Sequence, residues 1–359
     1  MLTRVNREKF LHCLENVQPG LSPRGIVQQS DAFIFKDGTV TTFNDEVACR
    51  MPSGLSKELS CAVPSVKLLE ILRKLVEDEL EVEEKDSELI VTGKSRQFGI
   101  RIEKDITLPV DTVEQPTEWI KLDDGFCEAI NIVQQCVGRD ESRFCLTCVH
   151  IHPEWLEACD GQQLCRWKLV TPIESSTLVR QSSIKSVVSL GMSEFNETKN
   201  WLHFRNSQGL ILSCRRYVEN YPDITSYLNV DGEPVTLPKS LGEATDKAAV
   251  FASENSDAQH VMVKLKPGKL EIKGTGITGW FREVKKLKYE GRGMEFLIAP
   301  QLLIDLVKRH TDCLISNNRL KVISGSYIYV SCLTNPNAET EAPGAEEEAV
   351  TVGSSELND

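Results

Sequence analysis

The chain has 359 residues, 40% of them hydrophobic and 26% charged, with twelve cysteines and a formal net charge of −12. That length supports two or three cores, and the apolar content excludes a wholly disordered chain. No apolar run approaches the roughly 18 residues of a membrane span, residues 1–7 lack a signal-peptide core, and the cysteines lack the dense spacing of a disulfide scaffold, so a soluble cytoplasmic protein with reduced thiols is expected.

In chain order, Phe10, Leu11 and Leu14 predict a first amphipathic helix, and residues 32–40 read as a hairpin turning at Asp37-Gly38. The clearest helix covers residues 64–78, where Leu68, Leu69, Leu72, Leu75 and Val76 form one stripe and Lys67, Arg73 and Lys74 lie on the other side. Leu89 and Val91 alternate as in a strand. A second round begins with helical spacing at Phe126, Ala129, Ile130 and Val133, followed by a hairpin over residues 149–156 that turns at Pro153-Glu154. Ile184, Val187 and Val188 then mark a short helix, with Arg180 before it and Lys185 within it. Leu202 and Phe204 alternate with Trp201, His203 and Arg205, which predicts a half-buried strand. The third round has Leu241, Ala244 and Ala248, a hairpin over residues 261–270 turning at Pro267-Gly268, and a helix over residues 300–310 with Leu303, Leu306 and Val307 inward. A strand follows at Leu320 and Val322.

The hairpin turns near Asp37, Glu154 and Gly268 recur at about 115 residues, the size of a small domain and far longer than a solenoid repeat. Three tandem α+β domains are therefore expected, each an antiparallel sheet covered by two helices, with boundaries at 1–116, 117–230 and 231–334. Residues 335–359 read as a disordered tail, rich in acids and small residues. The tail holds seven acids and no Lys or Arg, which leaves 46 acids against 41 bases in the remainder. Such a mildly acidic body binds DNA only if its bases are gathered on one surface.

Constellations for catalysis or metal binding do not assemble in the sequence. Cys145 and Cys148 lie in a strand-like run, where a separation of three points them to opposite faces, and no second CxxC or paired histidine completes a zinc set. His150 and His152 share one strand face without an acidic third ligand nearby in sequence. No P-loop, no dinucleotide-binding glycine motif and no nucleophile elbow is present, and Gly274-Thr-Gly276-Ile-Thr-Gly279 falls in a hairpin, where it reads as a turn. A non-enzyme without cofactor or metal is expected.

The order of elements, with several short strings, resembles the bacterial DNA polymerase sliding clamps, the β-clamp family, over residues 1–333. These strings are Arg143-Phe144-Cys145-Leu146, which resembles the family's Arg-aromatic-x-Leu strand start, and residues 156–164 around Asp160-Gly161-Gln162-Gln163-Leu164, which stand where clamps have Thr-Asp-Gly-His-Arg-Leu. Arg216-Tyr217, Tyr221-Pro222-Asp223 and Tyr289-Glu290-Gly291 complete the set. The resemblance implies a head-to-tail homodimeric ring that encircles double-stranded DNA without sequence preference and tethers polymerase and clamp-loader peptides. An interaction or structural protein of the same fold that has lost DNA encirclement is the alternative.

Site residues follow from the resemblance. The DNA-facing set would be Arg24, Lys67, Arg73, Lys74 and Arg139, with Arg143, Arg180, Lys185 and Lys308. A partner-peptide groove would involve Leu146, Cys159, Gly161, Gln162, Leu164 and Lys247, with Ile298 and the closing run Val330, Ser331, Cys332 and Leu333. Here the chain departs from the family, with Gln162-Gln163 in place of His-Arg and no match to the Met-Pro-Met-Arg-Leu ending. The subunit interface would pair Arg96, Phe98 and Arg101 with Met294, Glu295 and Phe296 of a second copy.

Overall fold

The computed structural model describes residues 2–22, 27–252 and 259–336. Among these, one order occurs three times: a strand, a helix, four strands, a second helix and three strands. The helices are α1 (Arg7–Asn16), α2 (Ser65–Lys74), α3 (Asp124–Val133), α4 (Gln181–Ser189), α5 (Leu241–Ala252) and α6 (Pro300–Arg309). The chain divides into two compact units, residues 1–228 with 323–330, and residues 229–322 with 331 onward.

The first unit contains two passes of the repeated order. The Asn6 side chain accepts the Lys9 N–H at 3.1 Å to start α1, and Asp123 accepts the Gly125 N–H at 2.8 Å to start α3. α1 packs on α2 and α3 on α4. α2 is a turn shorter than its apolar spacing predicts: Leu68, Leu69 and Leu72 are buried within it, but the backbone is extended from Leu75 and Val76 is 74% exposed. The cause is local. The Arg7 N–H donates to the Asp78 carbonyl at 2.8 Å and Arg7 Nε to the Glu77 carbonyl at 3.1 Å, which draws the chain into the strand Glu79–Lys85.

One antiparallel sheet of this unit runs Thr3–Asn6, Glu79–Lys85, Glu88–Thr92, Gln97–Arg101 in spatial order. A second joins the two passes. Its strands are Cys61–Pro64, Ala32–Lys36, Thr39–Phe43 and Val47–Pro52, continued by Ile211–Arg215, Trp201–Arg205, Glu194–Glu197 and Ile120–Lys121. At the joint Ile211 faces Arg50 and Cys214 faces Val47. The first hairpin turns through Asp37 (φ 53°) and Gly38 (φ 74°), two left-handed residues in succession, as a two-residue loop that follows strand twist requires. A third sheet runs Thr177–Arg180, Cys148–His152, Trp155–Cys159, Gln163–Lys168, with residues 327–330 beside the last strand.

The strand Trp201–Arg205 is not half-buried as its alternation predicts: Trp201, Leu202, His203 and Phe204 are all buried. Trp201 belongs to a core with Ile34, Phe43, Leu108 and Val113, so the outer face of the sheet is roofed by the segment around residues 106–113. Non-local chain covers a face that local patterning assigns to water.

In the second unit a sheet runs Trp280–Lys286, Lys269–Thr275, Val261–Lys266, Met294–Ile298, and the strand Glu233–Thr236 pairs with Asp312–Ile315, which pairs with Arg319–Ser324. α5 packs on α6 and lies on the strand Lys269–Thr275. A Cβ at Gly274 would stand 1.9 Å from the Ala248 carbonyl oxygen, so only glycine admits the helix there. The Gly276 N–H donates to the Gly279 carbonyl at 2.9 Å, which makes the glycine-rich stretch a turn.

The cysteines form no disulfide among the described residues. Burial pushes the thiols of Cys13, Cys49, Cys61, Cys148 and Cys313 up to about 12, which makes them poor nucleophiles and poor metal ligands. No helix among the described residues is long and apolar enough to cross a membrane.

Candidate nucleic-acid interface and partner groove

The proposed DNA-facing residues divide by their partners. Lys67, Arg73 and Lys74 all project from the exposed side of α2, opposite its buried leucines. Lys67 Nζ stands 3.1 Å from Glu70, and Arg73 Nη2 stands 2.9 Å from Glu15 on α1. On α6, Lys308 lies 3.4 Å from Asp305. Lys74 and Lys185, the exposed base of α4, form no ion pair among the described residues. Arg139 and Arg143 are exposed in the segment that follows α3. Arg24 lies outside the described residues.

Arg180 is engaged by two acids and a ring. Its Nη1 is 2.8 Å from Glu141 and its Nε 3.2 Å from Glu46, and its guanidinium lies 4.7 Å over the Phe144 ring. Phe144 in turn meets Tyr217 edge-on at 4.8 Å. Arg180 thus links the first two passes, with two carboxylates beside its guanidinium and a ring against its face. The same packing brings the Arg143-Phe144 and Arg216-Tyr217 strings together. The strand start expected at Arg143–Leu146 is a 3-10 helix, Phe144–Thr147, before the strand Cys148–His152.

The groove residues of the first unit gather around a tight turn. Asp160 Oδ1 accepts the backbone N–H groups of Gln162 and Gln163 at 2.8 Å each, and Gly161 has φ +92°. Leu146, half-buried, and Asp160 both abut Gly138. Gln163 Nε2 donates to Asp160 Oδ2 at 3.0 Å, and its Oε1 accepts the Tyr329 hydroxyl at 3.1 Å. A neutral side chain is therefore locked where the family has a cationic one, while Gln162 is exposed. Cys159 and Leu164 are nearly buried beside the turn, and Val330 is buried at 2% exposure. In the second unit Ile298, Ser331 and Leu333 are core residues, whereas Lys247 and Cys332 are exposed.

Sequence reasoning missed a buried ionic ladder beneath this turn. His150 faces Glu157, and Glu157 faces Arg166, on three adjacent strands. His150 Nδ1 is 2.7 Å from Glu157 Oε1, and Arg166 Nε donates to Glu157 Oε2 at 2.6 Å. The acidic neighbour that His150 lacks in sequence is supplied across the hairpin. The ladder anchors the segment at the end of the unit: Tyr221 stacks on His150 at 4.6 Å and donates to Cys159 Sγ at 3.4 Å, and Arg166 Nη2 donates to Thr225 Oγ1 at 3.3 Å. His150 Nε2 also meets Ser176 Oγ at 2.5 Å. Among the described residues no group of three or more His, Cys, Asp or Glu could hold a metal ion.

The expected interface residues of the second unit lie on the strand Met294–Ile298. Met294 and Phe296 are buried at 8% and 2% exposure, and Glu295 is held by Lys264 at 2.5 Å. Their strand ends the sheet beside Val261–Lys266, and on its outer side Leu297 bridges Thr334. At the other end of that sheet Trp280–Lys286 is an open edge among the described residues. Phe98 and Arg101 lie on the edge strand Gln97–Arg101, and Arg96, just before it, pairs with Glu77 at 3.1 Å.

No family model matches the chain, and no curated protein matches it in sequence. Solved structures do. The chain is similar to the DNA polymerase III subunit beta of Pseudomonas aeruginosa, with TM-score 0.78 and 17% identity over 93% of this chain and 100% of that one. The beta chain of DNA polymerase III from Streptococcus pneumoniae gives TM-score 0.81 at 16% identity, covering 93% and 99%. The DNA polymerase sliding clamp of Bacillus subtilis gives 0.78 at 15%, covering 93% and 99%. The chain therefore has the fold of the bacterial DNA polymerase III beta sliding clamps, at an identity that marks it as divergent.

Proposed function

We propose that this protein is a sliding clamp: two copies close head to tail around double-stranded DNA, and the ring tethers a polymerase and other partners without catalysing a reaction. The observation that carries this reading is the likeness over 93% of the chain to structures that are themselves sliding clamps. The thrice-repeated order supports three domains, 1–116, 117–230 and 231–334. The joint inside the first unit supports closure. There the third strand after α1 pairs with the last strand of the next pass, and the strands at corresponding positions, Trp280–Lys286 and Gln97–Arg101, are left at open edges.

A topologically held DNA needs few strong phosphate contacts, which suits a sparse set of unpaired bases such as Lys74 and Lys185. Leu146 and the turn at Gly161 would receive an apolar peptide side chain, with Gln163 offering hydrogen bonds in place of a charge. The His150 ladder is read as support for this site, since its arms hold Tyr221 and Thr225 rather than a substrate.

A second reading, a clamp-fold protein that no longer encircles DNA, draws on the carboxylates that already hold Lys67, Arg73 and Lys308. Loading onto nicked circular DNA, followed by gel filtration before and after linearisation, separates the two. A clamp co-elutes with the circle and is lost from the linear form. Equal retention on both, or on neither, sinks the clamp reading.

A further inference from the structure

We propose a specific register and chemistry for the joint between two copies, an inference that rests on the ring reading above. Within the first unit the joint pairs Ile211 with Arg50, Leu212 with Cys49, Ser213 with Ala48 and Cys214 with Val47, and the Arg215 N–H extends it to the Glu46 carbonyl at 2.9 Å. Both open edges can be aligned to these strands through their own neighbours. Ile211–Arg215 pairs with Trp201–Arg205 as Gln97–Arg101 pairs with Glu88–Thr92, which sets Arg215 level with Arg101. Val47–Pro52 follows its hairpin as Trp280–Lys286 follows the third one, with Val40 opposite Met51 as Leu270 is opposite Lys285. Carried across, the internal register places Gln97 opposite Val284, Phe98 opposite Glu283, Gly99 opposite Arg282, Ile100 opposite Phe281 and Arg101 opposite Trp280.

This register brings complementary groups together at Ile100–Phe281, Gly99–Arg282 and Arg101–Trp280, while Phe98 meets Glu283, which Lys285 already holds at 2.7 Å. On the helix side Ile100 and Phe98 border a groove of about 460 Å³ against Ile71 of α2, and Phe281, half-buried in its own unit, comes down beside Ile100 to close it. On the other side Arg101 faces Trp280, which is 63% exposed, in position for a cation–π contact. A Cβ at Gly99 would lie 2.7 Å from Glu88 Oε2, so the Glu88 carboxylate already overhangs the one position without a side chain. Arg282 arrives opposite that position. It is held at 2.7 Å by Glu271 in its own unit, and its five donors allow it to bridge Glu271 and the Glu88 of the second copy. The charge expected of Glu295 is thus supplied by Glu88, with the arginine on the other subunit.

Engineered cysteines test the register in the full-length chain. The variant I100C with F281C places thiols directly opposite each other across the joint, whereas F98C with F281C displaces them by two positions. Mild oxidation should cross-link the first into covalent dimers and leave the second largely uncross-linked. Preferential cross-linking of the second would overturn the register while leaving the ring intact. W280A should weaken the dimer about three- to tenfold by sedimentation without loss of secondary structure, and an unchanged dimer would remove the Arg101–Trp280 contact. An unsubstituted protein that stays monomeric at tens of micromolar, by contrast, would overturn the ring reading itself.

Discussion

His203 shows how one buried side chain couples this fold to pH. Its ring is fully buried between Thr198 Oγ1 at 2.9 Å and Ser213 Oγ at 2.8 Å, and burial pushes its pKa from 6.5 down to about 4. The unfolded chain takes up a proton near pH 6.5 while the native state resists until about pH 4. The contribution is therefore intact above pH 6.5 and is lost as pH falls through that window, at about 2 kcal/mol by pH 5. Urea denaturation at pH 7.5 and 5.0 should show this loss in the wild type and less of it in H203Q; equal losses would clear His203 of the effect. Glu157 is the second residue to test. Glu157→Gln leaves the buried Arg166 guanidinium without its counter-charge and should cost about 3 kcal/mol in a urea midpoint measurement, and the double change to E157L with R166M should recover most of that. A loss under 1 kcal/mol for the single change would show that water reaches the ladder. Neither residue was legible as important: His203 sits in an alternating strand, and Glu157 meets His150 only across a hairpin.

Elements carry the DNA prediction. Among the described residues α2 and α4 each present an exposed base without a carboxylate partner, Lys74 and Lys185, while Lys67 and Arg73 on α2 are held by Glu70 and Glu15. Replacing Lys74 or Lys185 with alanine should lower the slope of log affinity against log salt by up to roughly one each. K67A and R73A should change it less, because a carboxylate already neutralises each of these bases. Titration of nicked circular DNA over a salt series reads the four slopes, and an equal effect of all four would mean that these surface pairs exchange freely for phosphates. The bases on α2 were visible as a helix face in the sequence, but their partners were not, since Glu15 approaches Arg73 only through packing of α1 on α2.

At the scale of the whole molecule, charge distribution is the quantity to perturb. The seven tail acids, Glu339, Glu341, Glu346, Glu347, Glu348, Glu356 and Asp359, lie outside the described residues and account for most of the net charge. Deleting residues 337–359 should raise the association rate with DNA and with acidic peptides at low salt, and the gain should fade as the Debye length shortens to about 8 Å at physiological ionic strength. Stopped-flow rates at two salt concentrations check this, and a salt-independent gain would point to a contact other than long-range repulsion. L146D, at a half-buried position of the proposed groove, should abolish binding of a polymerase-derived peptide without unfolding the first unit. Retained affinity would move the groove elsewhere.

What the sequence by itself determined is the part written in short-range regularities. The hairpin turns, the apolar stripes of α2 and α6, and their recurrence at domain length were sufficient for the α+β repeat and for the clamp resemblance, because periodicity and turn chemistry act within a few residues. Only the tertiary structure decided which residues are free to act. It buried Met294 and Phe296, placed Arg180 beside Glu46 and Glu141, set Glu157 against His150, and left Trp280–Lys286 as an open edge. Each of these depends on a partner brought in from distant sequence, and a strand's face or a base's availability is settled by what covers it.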